Sequence, residues 1–212
     1  LLTVQNTLGV QKVYILKPFQ VTEQLKAVLT DIRPSIVKTG ALGNRQVILA
    51  VAQMLKKYKF RLIIDPVMIS KHGAPLLRKD AVKVLKEKLI PYAVLVTPNL
   101  QEAEILSGIP VYDLASMKAA AKRIHGLGVR SVLIKGGHLR GVAADLVYHQ
   151  GRFTILRAKK IRTRNTHGTG CTYSAVITAE LAKGKNLLPA VRIAKKFMTR
   201  AIQTAPGLGQ GI

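Results

Sequence analysis

The sequence has 212 residues, 48% of them hydrophobic, which suits one α/β domain with its own core. No apolar run approaches the roughly 18 residues of a membrane span, no secretory leader is visible, and the single cysteine cannot form an intrachain disulfide. We therefore expect a cytoplasmic protein with no membrane partner.

Lys and Arg outnumber Asp and Glu by 34 to 10, which gives a formal charge of +24. The basic residues are spread over predicted helix faces rather than gathered in a tail, and there is no Trp for base stacking. Nucleic acid is therefore not the expected partner. A non-catalytic basic nucleic-acid-binding protein stays open as the alternative from another functional class.

The chain begins in an extended segment. Residues 1–4 are predicted as an interior strand of the sheet, residues 5–10 as its end and a turn, and residues 12–16 as a second extended run. Apolar residues at helical spacing then predict a helix over 22–30, with Thr22 as its N-cap.

Short apolar runs alternate with helical segments through the middle of the chain. This alternation is typical of the α/β class, with a mostly parallel central sheet and helices on both faces. Gln150 and Gly151 separate two strand-like segments and predict a hairpin, and a last helix over 188–202 is predicted to pack on the sheet. The four apolar runs are 36–37, 62–64, 93–96 and 132–134.

Polar residues follow three of these runs directly. Asp65 follows the run 62–64, Thr97 and Asn99 follow the run 93–96, and Lys135 follows the run 132–134. Ligands of open α/β sheets lie at the carboxyl ends of the strands, so we expect these side chains to converge at one rim. Taken singly, each also suits a turn or a solvated loop, and Asn99 with Glu102 suits a helix cap.

The segment from Gly168 through Thr169 and Gly170 to Cys171 resembles a glycine loop that opens a helix. The first amides of a helix lack partners inside it and lie at the positive end of its dipole, so they favour an anion such as phosphate. Cys171 falls in the first turn, where the same field favours thiolate. The alternative is a small residue at an ordinary helix start.

The string at 165–172, Asn-Thr-His-Gly-Thr-Gly-Cys-Thr, resembles the signature of the hydroxymethylpyrimidine and phosphomethylpyrimidine kinases. These form a thiamin-pathway branch of the ribokinase-like superfamily, most of which has aspartate at the position of Cys171. The resemblance implies ATP-dependent phosphorylation of 4-amino-5-hydroxymethyl-2-methylpyrimidine and of its monophosphate in thiamin biosynthesis. Cys171 would be the general base, and the amides of Gly168, Thr169, Gly170 and Cys171 would stabilise the transferring phosphoryl group.

The same resemblance implies roles for residues outside the loop. Gln5 and Met68 would contact the pyrimidine substrate, and ATP and Mg²⁺ would be the cofactors. Asp65 and Glu102 would organise the magnesium, and Thr97, Asn99 and Lys135 would bind the nucleotide.

The sequence departs from the family pattern in a few places. Ala41 replaces a methionine beside the pyrimidine, and His72 replaces a serine in a rim loop, where we expect it to be exposed and not a metal ligand. The family also begins with a strand and a glycine-rich turn that supplies an aspartate near the substrate. We expect 1–212 to be a single ribokinase-like kinase domain without that segment, so that either the working protein is longer or this chain is a poor enzyme.

Two further expectations rest on the resemblance. The family implies a homodimer. A pyridoxal or pyridoxine kinase, built on the same scaffold, is the nearest alternative enzyme, and the sequence leaves the choice between the two substrates open.

Overall fold

The computed structural model describes residues 1–70, 73–137, 139, 143–161, 163 and 165–210. Histidines at 72 and 138, which the sequence places in loops at the rim, lie outside the described residues. The strands are β1 (Leu2–Asn6), β2 (Gly9–Tyr14), β3 (Ile36–Thr39), β4 (Arg61–Ile64), β5 (Ala93–Val96), β6 (Ser131–Ile134), β7 (Ala143–His149) and β8 (Arg152–Ala158). The α helices are α1 (Pro18–Asp31), α2 (Arg45–Tyr58), α3 (Lys79–Lys88), α4 (Leu100–Ser107), α5 (Leu114–His125), α6 (Thr169–Ala182) and α7 (Leu187–Gln203), with a 3₁₀ turn at Ile90–Tyr92.

The central sheet has six strands in the order β3-β4-β5-β6-β7-β8. The first four are parallel, and β7 and β8 are antiparallel to their neighbours. The predicted hairpin joins β7 to β8 through Gln150 and Gly151, both with positive φ, as a two-residue turn of this twist requires. The predicted mostly parallel sheet is confirmed.

Helices cover both faces of this sheet. Along β4, Leu62 and Ile64 pack into a core cluster with residues of α2 to α5, while Ile63 between them packs against α6 and α7. Leu133 on β6 also packs against α6 and α7. Because alternate residues of a strand point to opposite faces, a strand covered on both sides is apolar throughout, which is the pattern read from the sequence.

The prediction that residues 1–4 form an interior strand is wrong. They belong to β1, which pairs only with β2 as a two-stranded antiparallel sheet outside the central one. The local turn decides this pairing, because Asn6 Oδ1 accepts hydrogen bonds from the amides of Leu8 (2.9 Å) and Gly9 (3.3 Å). Leu2, Val4 and most of this hairpin are exposed.

The start of one predicted helix also needs correction. Helix α1 begins four residues before the predicted cap Thr22, because Pro18 fits the first helical position and the Lys17 amide bonds to Gln20 Oε1 at 2.9 Å. The last helix packs on the sheet as predicted, but Phe197 is half exposed beside the buried face. No helix in the described part of the chain is long and apolar enough to cross a membrane.

Candidate active site

The polar residues predicted to converge do so at the carboxyl ends of β4, β5 and β6. The backbone ladder continues past the strands: the Asp65 amide bonds to the Thr39 carbonyl (3.0 Å), that of Thr97 to Ile64 (2.9 Å), and that of Lys135 to Pro98 (2.8 Å). These bonds fix three successive strand ends at one rim of the sheet.

Asp65 lies at the centre of this rim, with no exposed surface. Lys135 Nζ lies 2.7 Å from its Oδ1, Thr97 Oγ1 donates to the same oxygen at 3.2 Å, and Ser174 Oγ on α6 donates to Oδ2 at 3.1 Å. Both carboxylate oxygens therefore have partners, as a buried charge needs. The carboxylate joins β4, β5, β6 and α6.

Lys135 keeps its positive charge although only 13% of its side chain is exposed. Burial lowers its pKa, but the negative charges of Asp65 and Glu102 outweigh burial, so the pKa lies above the ordinary lysine value. The rim thus holds a fixed ammonium group.

Asn99 and Glu102 form a reciprocal cap at the start of α4. Asn99 Oδ1 accepts from the Glu102 amide (2.9 Å), and Glu102 Oε2 accepts from the Asn99 amide (2.7 Å). Glu102 is buried, and burial raises its pKa to about 7 although Lys135 and the backbone bonds lower it. The cap, which the sequence left open as an alternative, is confirmed, and Glu102 is a carboxyl close to its titration point at neutral pH.

The glycine loop opens α6 as predicted. Gly168 stands immediately before the helix with φ of 76°, a conformation that glycine adopts without strain, and Thr169 is the first helical residue. The amides of Gly170 and Cys171 lie in the first turn of α6, so no carbonyl of this helix accepts a hydrogen bond from them. An added Cβ at Gly170 would lie 3.2 Å from Lys135 Nζ, so the fixed ammonium stands directly beside these amides.

Cys171 is exposed at this helix start. Partial burial of its inner side raises the pKa of the thiol, Asp65 raises it further, and Lys38 and Lys135 lower it, with a net value above the ordinary one. The net pKa is contrary to the expectation that the helix start favours a thiolate, because burial of the thiol, and after it the carboxylate of Asp65, outweigh the nearby lysines.

All 212 residues match the family model for phosphomethylpyrimidine kinase. The chain belongs to this family. It is 46% identical over 212 residues to a thiamine biosynthesis bifunctional protein of Geobacter sulfurreducens, covering 99% of this chain and 43% of that protein. It is 44% identical over 215 residues to a hydroxymethylpyrimidine/phosphomethylpyrimidine kinase of Haemophilus influenzae, covering 99% of this chain and 80% of that kinase.

The fold is also shared with a solved pyridoxal kinase of Bacillus subtilis in complex with ADP. The two chains have a TM-score of 0.88 and 35% identity, with 98% of this chain and 78% of that one covered. The family, the ribokinase-like fold and the phosphotransferase class predicted from the sequence are confirmed. Use of ATP is supported by these kinase relatives.

Both carboxylate oxygens of Asp65 accept hydrogen bonds, from Lys135, Thr97 and Ser174, and the assignment of Asp65 to magnesium stays a prediction. Among the described residues, no three His, Cys, Asp or Glu side chains cluster closely enough to hold a metal ion. Glu102 is a single carboxyl beside the rim. One carboxylate together with nucleotide phosphates is a common way of holding Mg²⁺, so Glu102 fits a magnesium ion that arrives with the nucleotide.

Of the two predicted pyrimidine contacts, Met68 adjoins the charged cluster through a backbone hydrogen bond to Glu102, whereas Gln5 lies on β1. Gln5 is exposed on β1, and no hydrogen bond among the described residues joins it to Asp65 or Lys135. Met68 is buried three residues beyond Asp65, where its carbonyl accepts from the amides at 76 and 77. Both assignments stay predictions.

Two residues of this site were missed by the sequence analysis. Ser174 follows Cys171 by three positions, so it lies one turn along the same side of α6, and this spacing could have indicated it. Lys38 on β3 acts on the Cys171 thiol, and no local pattern distinguishes it from the many other lysines of the chain.

A second buried ion pair holds the turn that follows Lys135. Asp145 Oδ1 accepts from the Gly136 amide at 3.0 Å, and Lys195 Nζ on α7 lies 2.7 Å from Asp145 Oδ2. Gly136 has no room for a side chain, because an added Cβ would collide with the Ala144 carbonyl oxygen. The backbone that carries Lys135 is therefore fixed against β7.

Proposed function

We propose that the protein is an ATP-dependent kinase that phosphorylates 4-amino-5-hydroxymethyl-2-methylpyrimidine and then its monophosphate for thiamin biosynthesis. The observation that carries the proposal is the placement of one fixed ammonium, Lys135, beside the amides of Gly170 and Cys171 at the start of α6. A helix start with an adjacent cation suits the charge that develops on a phosphoryl group in transfer.

In the first step, the hydroxymethyl oxygen would attack the γ-phosphorus of ATP. The new O–P bond forms as the bond to the bridging β–γ oxygen breaks, and the bond's electron pair leaves with ADP. Cys171, in its thiolate form, would take the hydroxyl proton, the amides of Gly168 to Cys171 would hold the phosphoryl oxygens, and Lys135 would offset their charge.

The second step depends less on a general base. Its nucleophile is a phosphate oxygen, and the second pKa of a phosphate monoester is about 6, so this oxygen already carries a negative charge above neutral pH. The two steps therefore make different demands on the same site: the first needs proton removal, and the second needs an additional anion to be accommodated.

Magnesium is proposed as the companion of the nucleotide phosphates, whose charge it would neutralise. Glu102 would reach its water shell, and Thr97 and Asn99 would line the nucleotide side of the rim. The homodimer and the cytoplasmic location belong to the same proposal, and the dimer rests on the family.

A pyridoxal kinase is the second candidate, because the ADP-bound Bacillus subtilis pyridoxal kinase shares this fold. The deciding experiment is a kinase assay with ATP and three acceptors in parallel: the hydroxymethylpyrimidine, its monophosphate and pyridoxal. We expect kcat/KM to be highest for the two pyrimidines. Preference for pyridoxal would overturn the substrate assignment, and no turnover of any acceptor would overturn the kinase proposal.

A further inference from the structure

Lys38 lies near the same loop as Lys135 but comes from a different strand of the sheet. It is the third residue of β3, the edge strand, whereas Lys135 follows β6. With strands about 4.8 Å apart, the two backbones are separated by about 14 Å. Both ammonium groups act on the thiol of Cys171 in the loop that opens α6.

The side chain of Lys38 points toward α6. Ile36, two residues earlier on β3, packs in the cluster formed with α6 and α7, and residues two apart on a strand share a face. The ammonium reaches the strand end, since an added Cβ at Gly40 would lie 3.4 Å from Lys38 Nζ. Its charge also acts on the Cys171 thiol.

The two lysines differ in how their charge is balanced. Lys135 is paired with the buried carboxylate of Asp65. Lys38 is partly buried, yet no ion pair or hydrogen bond within the described ranges involves its ammonium. A half-buried cation without a counter-charge favours an anionic ligand, because its interaction with that ligand is poorly screened by water.

We propose that Lys38 binds the phosphate of the phosphorylated acceptor and so makes the second phosphorylation efficient. This inference rests on the proposed kinase function and adds a specificity-determining residue to it. The neutral alcohol offers Lys38 no charge, whereas the monophosphate offers a dianion. Lys38 thereby discriminates between the two acceptors, while Lys135 stabilises the charge of the transferred phosphoryl group in both steps.

The test compares the two acceptors in wild-type protein, Lys38→Met and Lys38→Arg, with kcat and KM measured separately at saturating ATP. Lys26→Met, which removes an exposed lysine of α1, is the matched control for loss of one charge. A charged hydrogen bond contributes about 1.5–3 kcal/mol, so we expect Lys38→Met to lower the kcat/KM ratio of monophosphate to alcohol about 10- to 100-fold, chiefly through KM. Lys38→Arg retains most of the ratio, and Lys26→Met leaves it unchanged.

The possible outcomes distinguish the role of Lys38 from the proposed kinase function. An unchanged ratio in Lys38→Met, or an equal loss with both acceptors, overturns the role of Lys38 while the kinase proposal stands. Wild-type protein that phosphorylates neither acceptor overturns the proposed function and this inference with it. Thermal unfolding of each variant shows that the comparison is made on folded protein.

Discussion

Lys135 Nζ lies 2.7 Å from Asp65 Oδ1, and this buried pair joins the ends of β6 and β4 across β5. Ser174 bonds to the other carboxylate oxygen and adds the glycine-loop helix to the same contact. The positions of the ammonium and of the loop amides are therefore coupled through one carboxylate. This coupling predicts that stability and activity are lost together when Asp65 is removed.

Removal of the Asp65 charge tests this coupling. Asp65→Ala leaves the Lys135 ammonium buried without its partner, which typically costs about 3–5 kcal/mol of unfolding free energy. Asp65→Asn keeps the shape of the side chain and is the milder variant if alanine does not fold. The control is Glu87→Gln, which breaks an exposed pair with Lys83 at 3.9 Å and should change stability by about 0–1 kcal/mol. Urea denaturation measures both, and equal small losses would contradict the prediction.

Gly136 and Gly137 offer an adjacent matched pair. Gly136→Ala places a methyl group against the Ala144 carbonyl oxygen, so β7 must shift, and we expect a loss of about 1–3 kcal/mol. Among the described residues, an added Cβ at Gly137 meets nothing within 4 Å, so Gly137→Ala should be nearly neutral. Thermal or urea unfolding gives the comparison. Similar effects at the two positions would mean that the turn is not fixed in the way described.

Cys171→Ala should affect the two phosphorylation steps unequally. Loss of a general base typically lowers a rate about 10²- to 10⁴-fold, and we expect that loss for the hydroxymethyl acceptor. For the monophosphate we expect less than about tenfold, because its nucleophilic oxygen is already ionised above pH 7. Nucleotide affinity, measured by calorimetry with a non-hydrolysable ATP analogue, should be unchanged because the amides remain. A variant that keeps more than about half of the wild-type first-step rate rules out the base role.

The raised pKa of Cys171 predicts a specific pH dependence. A pKa above the ordinary thiol value means that less thiolate is present at any given pH below it. Alkylation by iodoacetamide should therefore be slower at neutral pH than for the same protein unfolded in denaturant, and its midpoint should lie at higher pH. Because Lys38 lowers this pKa, Lys38→Met should move the midpoint higher still. A midpoint below that of the unfolded chain is the contrary result.

The charge of +24 predicts weak and non-specific binding to DNA. Phosphate neutralisation by dispersed lysines depends steeply on salt and carries no sequence information. Fluorescence anisotropy with two unrelated duplexes, between about 50 and 200 mM salt, should show affinities that are alike and fall by orders of magnitude. Tight, sequence-selective binding at physiological salt with no ATP turnover would favour the nucleic-acid alternative.

Much of this site follows from local sequence. Apolar runs that alternate with helical segments specify parallel strands, and the carboxyl ends of parallel strands meet at one edge. That argument predicted that Asp65, Thr97 and Lys135 would meet. The glycine loop and the cap of Asn99 with Glu102 are also local, since their hydrogen bonds join residues at most a few positions apart.

The tertiary structure alone decided which groups pair and how their charges balance. Residues 1–4 have the composition of a buried strand, but whether a strand joins the central sheet depends on its neighbours, and the turn at Asn6 gave β1 a partner close by. Lys135 and Asp65 are 70 residues apart, and Ser174 and Asp65 are 109 apart, so no local pattern signals either contact. The raised pKa of Cys171 has the same origin. A helix start favours thiolate by itself, whereas burial of the thiol in the folded chain and the nearby carboxylate of Asp65 raise its pKa.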